Sequence, residues 1–189
     1  EYRIEDIDRN FAEASIDGCD LVFCNLKNEP FKIYGICNKD EDAPFRRIPV
    51  IDGVNGGANW LGDNTAGVKV RFSTDSPYIA VYAEIGDACH MPHMTLTGSC
   101  GFDLYRQAGN EEEFVRPFIP ATGICHGQGQ YHSIIKLSDK KTELTPYTIY
   151  FPLYNRVKRL DIGLAPDSRI SAGAEFSLDK PIVYYGSSI

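Results

Sequence analysis

The stretch Val68-Lys69-Val70-Arg71-Phe72-Ser73-Thr74-Asp75-Ser76-Pro77-Tyr78-Ile79-Ala80-Val81-Tyr82-Ala83-Glu84-Ile85 decides the fold class. Val68, Val70 and Phe72 alternate with Lys69 and Arg71, the period of two that marks a half-buried strand. Asp75-Ser76-Pro77 is a turn by composition, and Tyr78 to Ile85 reads as a second strand. Their spacing alone predicts a hairpin.

The same pattern continues on both sides. Short strands are expected over Phe31 to Ile36, Cys100 to Arg106, Phe114 to Ile119, Tyr131 to Leu137, Tyr147 to Phe151 and Val157 to Leu164. Ala108-Gly109-Asn110, the run from Gly123 to Gly129 and Ser138-Asp139-Lys140 separate them. Near the start, Ile4, Ile7, Phe11 and Ala14 follow helical spacing, and Asp17-Gly18 ends that segment. The expectation is an all-β protein: an antiparallel β-sandwich, jelly-roll-like, with a short N-terminal helix.

Composition narrows the function classes. At 189 residues the chain is long enough for one domain with a substantial core. Apolar residues at 43% exclude a disordered chain. The net charge of −7, with no basic cluster, argues against nucleic acid and anionic membrane surfaces as partners. No apolar run approaches the roughly 18 residues of a spanning helix. Six cysteines without a Cys-x-x-Cys pair read as reduced, mostly buried thiols, which favours a reducing, cytoplasmic compartment. Gly127-Gln128-Gly129 lacks the strand-before, helix-after context of a phosphate loop, and no cofactor is expected.

The end of the sequence departs from the pattern. Pro181-Ile182-Val183-Tyr184-Tyr185 is a continuous apolar run followed by Gly186-Ser187-Ser188. A strand apolar on both faces suits a parallel sheet covered by helices. Residues 1–179 are therefore expected to form the sandwich, and 180–189 the first strand and turn of a following α/β domain, so that the sequence is a fragment.

Gly101-Phe102-Asp103-Leu104-Tyr105 resembles the Gly-x-Asp-Leu-Tyr signature of the N-terminal domain found ahead of some SGNH (GDSL-type) hydrolases. Met91-Pro92-His93-Met94 precedes it at the family's distance. Pro152-Leu153-Tyr154-Asn155 with Leu160 through Leu164, and Lys180 through Ile189, resemble later family segments in the same order. The resemblance implies an accessory domain that packs in cis on a C-terminal SGNH catalytic domain and walls one side of its cleft. The parent enzyme would cleave an acyl ester, on a carbohydrate or another small molecule, through a serine acyl-enzyme. Ser188 falls at the nucleophile position, with Ser187 where the family usually has Asp. A serine hydroxyl needs a base, and the resemblance places the family's Asp-x-x-His pair near the end of the catalytic domain, together with Gly and Asn oxyanion blocks, whereas all four His of this sequence precede Ser188. The resemblance thus predicts no ester turnover by these residues alone.

Three other features carry chemistry. Cys89-His90-x-x-His93, Cys100 and Cys125-His126 contain metal-ligating types, but adjacent strand residues point to opposite faces, so no metal site is expected. His93, in its Pro-fixed segment, either helps shape the cleft or is a satisfied structural histidine. Trp60 lies among Asn55, Gly56, Gly57, Asn59 and Asn64 in a loop by composition. It is either a sugar-stacking platform, which would suit a stand-alone carbohydrate-binding module, or a packed core residue. Asp103 and Tyr105 should share the face opposite Phe102 and Leu104, in a structural role.

Overall fold

The computed structural model describes residues 2–3, 12–37, 43–86, 91–126, 129–137, 142–178 and 180. Twelve strands among them form two antiparallel sheets. The larger sheet runs β1 (Tyr2–Arg3), β12 (Arg169–Ala172), β5 (Lys69–Thr74), β10 (Thr145–Tyr150), β7 (Phe102–Ala108) and β8 (Glu111–Phe118), with β4 (Lys32–Tyr34) also paired to β5. The smaller runs β2 (Ala12–Ile16), β3 (Cys19–Asn25), β11 (Arg156–Leu164), β6 (Tyr78–Gly86) and β9 (Gln130–Lys136).

Alternation drives the assembly. Val70 and Phe72 of β5, Tyr147 and Ile149 of β10, and Phe102 and Leu104 of β7 turn inward from one sheet. Val81 and Ala83 of β6, Leu160 and Ile162 of β11, and Cys24 of β3 meet them from the other in one continuous buried cluster. Each large side chain so buried contributes about 1.5–3 kcal/mol of transfer free energy. The expected antiparallel sandwich is what forms.

The hairpin expected over Val68 to Ile85 does not. β5 and β6 belong to different sheets, so Asp75-Ser76-Pro77 carries the chain across the sandwich. The crossing is fixed by a long-range contact. The Asp75 carboxylate, 1% exposed, accepts from both the backbone N–H and the Nε of Arg169 at 2.8 Å. Two alternating strands with a short turn look alike in sequence whether they pair or cross, and the deciding partner lies far along the chain.

The N-terminal segment differs as well. Of the helix expected over Ile4 to Ala14, residues 4–11 lie outside the described residues, and Ala12 to Ala14 are strand. Asp17 and Gly18, at φ 51° and 74°, form a two-residue turn that pairs Ile16 with Cys19. Positive φ at both central positions is the hairpin turn that suits the twist of flanking strands. Two short helices lie in connections: α1 (Gly56–Leu61) and α2 (Leu96–Cys100).

Candidate functional site

The two ends of the sandwich are built differently. At one end the sheets are closed by short links at 17–18, 75–77 and 109–110. At the other end lie the described residues of longer connections, 35–37 with 43–68, 91–101 and 119–126, together with 151–155. Loops on a rigid scaffold are where binding residues concentrate. The elongated end gathers both helices and the segments singled out in the sequence.

Two of those segments interlock. The Leu153 N–H donates to the Gly98 carbonyl at 3.2 Å. Asn155, buried and at φ 74°, donates its side-chain amide to the Ser99 carbonyl at 2.8 Å and lies 3.2 Å from the Cys100 Sγ. From the other side the Tyr131 hydroxyl donates to the Cys100 carbonyl at 2.8 Å. Burial pushes this phenol well above its ordinary value, so it remains a donor. Gly101 closes the junction: a Cβ there would run into the carbonyl oxygens of Thr97 and Phe118. The first position of the signature is therefore a packing requirement between α2 and β8.

A buried arginine holds the next segment. Arg46, 6% exposed, donates to the carbonyls of Ile48 and Asn59 at 2.6 Å and pairs with Asp63 at 2.5 Å. The Asn59 side chain bonds both backbone groups of Ile51, and Asn55 caps α1 through the Gly57 N–H. The ordered loop presents Ile48, Val50, Ile51, Val54, Trp60 and Leu61 at exposures of 41–65%. The Thr65 hydroxyl donates to the Pro152 carbonyl at 2.9 Å, which brings exposed Leu153 and Tyr154 to the same end. These exposed apolar side chains share one loop, and exposed apolar surface of this kind is the usual raw material of interaction sites.

Phe102 and Leu104 are fully buried, while Asp103 is exposed and Tyr105 half-buried on the outer face of the large sheet. There Tyr105 packs edge-on against Phe114 and Tyr150. Glu112 accepts from Thr148 and Tyr150, each at 2.6 Å. Burial pushes this carboxyl up, but the two hydrogen bonds and the charges of Lys69 and Arg71 outweigh it and hold Glu112 below its ordinary value. Burial alone raises Asp103.

A family model described as the N-terminus of SGNH-hydrolase-type esterases, with the signature GxDLY, matches residues 21–170. The chain belongs to this family. Among solved structures, this GxDLY domain is similar to a protein from Bacteroides ovatus ATCC 8483 described as a GDSL-like lipase. The TM-score is 0.68 at 23% identity, over 82% of this chain and 43% of that one. It is also similar to the salicylyl-acyltransferase SsfX3 from a tetracycline biosynthetic pathway, with a TM-score of 0.59 at 17% identity, over 82% of this chain and 42% of that one. At these identities the likeness is one of fold, and the chain spans less than half of either structure. No curated protein matches the sequence significantly.

Within the GxDLY domain, His93 is exposed at the tip of the 91–94 turn, with Met94 folded back toward Gly98. Trp60 is 58% exposed, and it sits on α1 where an irregular loop was expected. Both amide atoms of Asn59 and the Oδ1 of Asn55 are committed to the loop's own hydrogen bonds, and Asn64 is buried. Ser188 lies outside the described residues. Among the described residues no group of three or more His, Cys, Asp or Glu is placed to hold a metal, and no helix is long and apolar enough to cross a membrane. The apolar display from Ile48 to Leu61 is absent from the sequence reading. Its signal was the run Ile48-Pro49-Val50-Ile51 just ahead of the Gly- and Asn-rich loop.

Proposed function

We propose that this GxDLY domain is the accessory part of an SGNH-type acyl esterase. In this reading its elongated end packs in cis on a C-terminal catalytic domain and walls one side of the substrate cleft. One observation carries the reading: the exposed apolar side chains of 48–61 and 153–154 gather at the end toward which the chain runs after β12. Phe176 lies edge-on to Tyr34 and over Lys69, at the starting edge of β5. A following domain would emerge beside that display, and covering it removes apolar surface from water.

The parent enzyme would hydrolyse carboxylic esters, with acylated carbohydrates as the favoured substrates. Ser188 is the nucleophile in this proposal, activated by a base and oxyanion donors from the catalytic domain. His93 and Trp60, both exposed at the elongated end, are the candidate cleft residues.

Hydrolysis of a simple aryl acetate tests the assignment. The whole protein should turn it over, Ser188→Ala should abolish turnover, and residues 1–189 alone should be inactive. Turnover by 1–189 alone that Ser188→Ala abolishes, or turnover by the whole protein that survives Ser188→Ala, would contradict it. Exposed Trp60 also favours a second reading, a carbohydrate-binding module. A shift of Trp60 fluorescence on titrating 1–189 with plain and acetylated oligosaccharides would support the module, and silence the cleft wall.

A further inference from the structure

Beyond the accessory role, the molecule holds a groove of about 710 Å³ toward the elongated end of the sandwich. It lies where the end of β3, the segment 26–37 and the start of β11 meet. The size falls within the range of small-molecule sites. Its floor is apolar: Leu26, Phe31, Phe45 and Leu160 are buried core residues, and Ile33 and Ile36 pack against them.

The rim has the opposite character to the rest of the chain. Against a net charge of −7, its described lining residues include Lys27, Lys32, Lys158 and Arg159 and one carboxylate, Glu29. Two of these cations are already engaged: Lys32 pairs with Glu175 at 2.9 Å, and Arg159 with Asp161 at 2.7 Å. Among the described residues Lys27 and Lys158 hold no ion pair.

The fold places Lys158 deliberately. The β6–β11 register shifts between Val157 and Arg159, a bulge at Lys158 that leaves both Lys158 and Arg159 exposed. Bulges re-aim side chains in this way. The Lys158 side chain passes over Gly86 of β6, the register partner of Arg156.

We propose that this groove binds a small amphipathic carboxylate, with its hydrocarbon body on the apolar floor and its anionic head held by Lys27 and Lys158. The donors favour a monoanion over a phosphate. The one guanidinium fork at the rim is taken by Asp161, which leaves two ammonium point charges. The site does not depend on the esterase assignment.

Titration of the isotope-labelled chain with octanoate, followed by amide chemical shifts, tests this. The expected result is saturable shifts at Leu26, Ile33, Phe45 and Leu160, with uncharged octanamide bound about tenfold or more weakly. Lys27→Glu with Lys158→Glu should weaken octanoate by at least about tenfold, and Ile36→Ser, which keeps the charges, should weaken both ligands. Absence of saturable shifts, equal binding of octanamide, or an unaltered affinity in the charge-reversed variant would each overturn the proposal.

Discussion

The side chain of Asn155 donates a hydrogen bond to the Ser99 carbonyl at 2.8 Å across 56 residues of chain. It ties the loop before β11 to the helix before the GxDLY strand, and Asn155 adopts φ 74° to do so. Asn155→Ala removes a buried donor and leaves a strained backbone, at a cost of about 2–4 kcal/mol. Asn155→Gly relieves the backbone and loses only the bond, at about 1–2 kcal/mol. Urea unfolding of both variants checks the order; equal costs would show that the backbone conformation contributes nothing.

Gly101 is tested separately because its role is steric. A methyl at that position meets backbone carbonyls of α2 and β8, neither of which can rotate away. Gly101→Ala should cost about 3 kcal/mol, seen as a lower denaturation midpoint at unchanged slope. A loss below about 1 kcal/mol would mean that α2 shifts freely.

Glu112 and Asp103 should respond to pH with opposite signs. Glu112 titrates below its ordinary 4.5 in the folded chain, so its contribution is present above that value and is lost as pH falls through the lower folded value. Glu112→Gln should therefore flatten the acid limb of the stability profile below about pH 4.5. Asp103 titrates above its ordinary 3.8, so its ionisation opposes folding once pH rises through the folded value. Asp103→Asn should leave the chain slightly more stable at neutral pH, with the difference vanishing in acid. Thermal unfolding from acid to neutral pH reads both effects.

The apolar display should matter to the whole protein and hardly to the domain alone. Val50 is 65% exposed, so Val50→Asp should change the stability of 1–189 by no more than about 0.5 kcal/mol. In the whole protein the same change should lower kcat/KM for an aryl acetate and loosen the junction. Unchanged kinetics would remove this loop from the proposed interface.

Local patterning made most strands legible. Phe102 and Leu104 against Asp103 and Tyr105, and Val70 and Phe72 against Lys69 and Arg71, face the sides that their alternation indicates. Strand β3 escaped notice because Leu21 to Cys24 are buried in succession. Val22 and Cys24 enter the main core while Leu21 and Phe23 join a second cluster on the opposite face, so no alternation survives. Partnership between strands was also hidden, since the Asp75–Arg169 contact that sends β6 to the other sheet has no local signature. At the candidate site the signature residues were visible as a motif. The ordered apolar loop was not, because its scaffold is one buried arginine whose partners are mainly backbone carbonyls.

Hydrogen exchange compared between residues 1–189 and the whole protein tests the docking geometry most directly. The account predicts that amides in 48–61, 91–101 and 153–155 become protected when the catalytic domain is present, while those at 17–18 and 109–110 exchange as before. Protection confined to the short-turn end, or no protection anywhere in the domain, would contradict it.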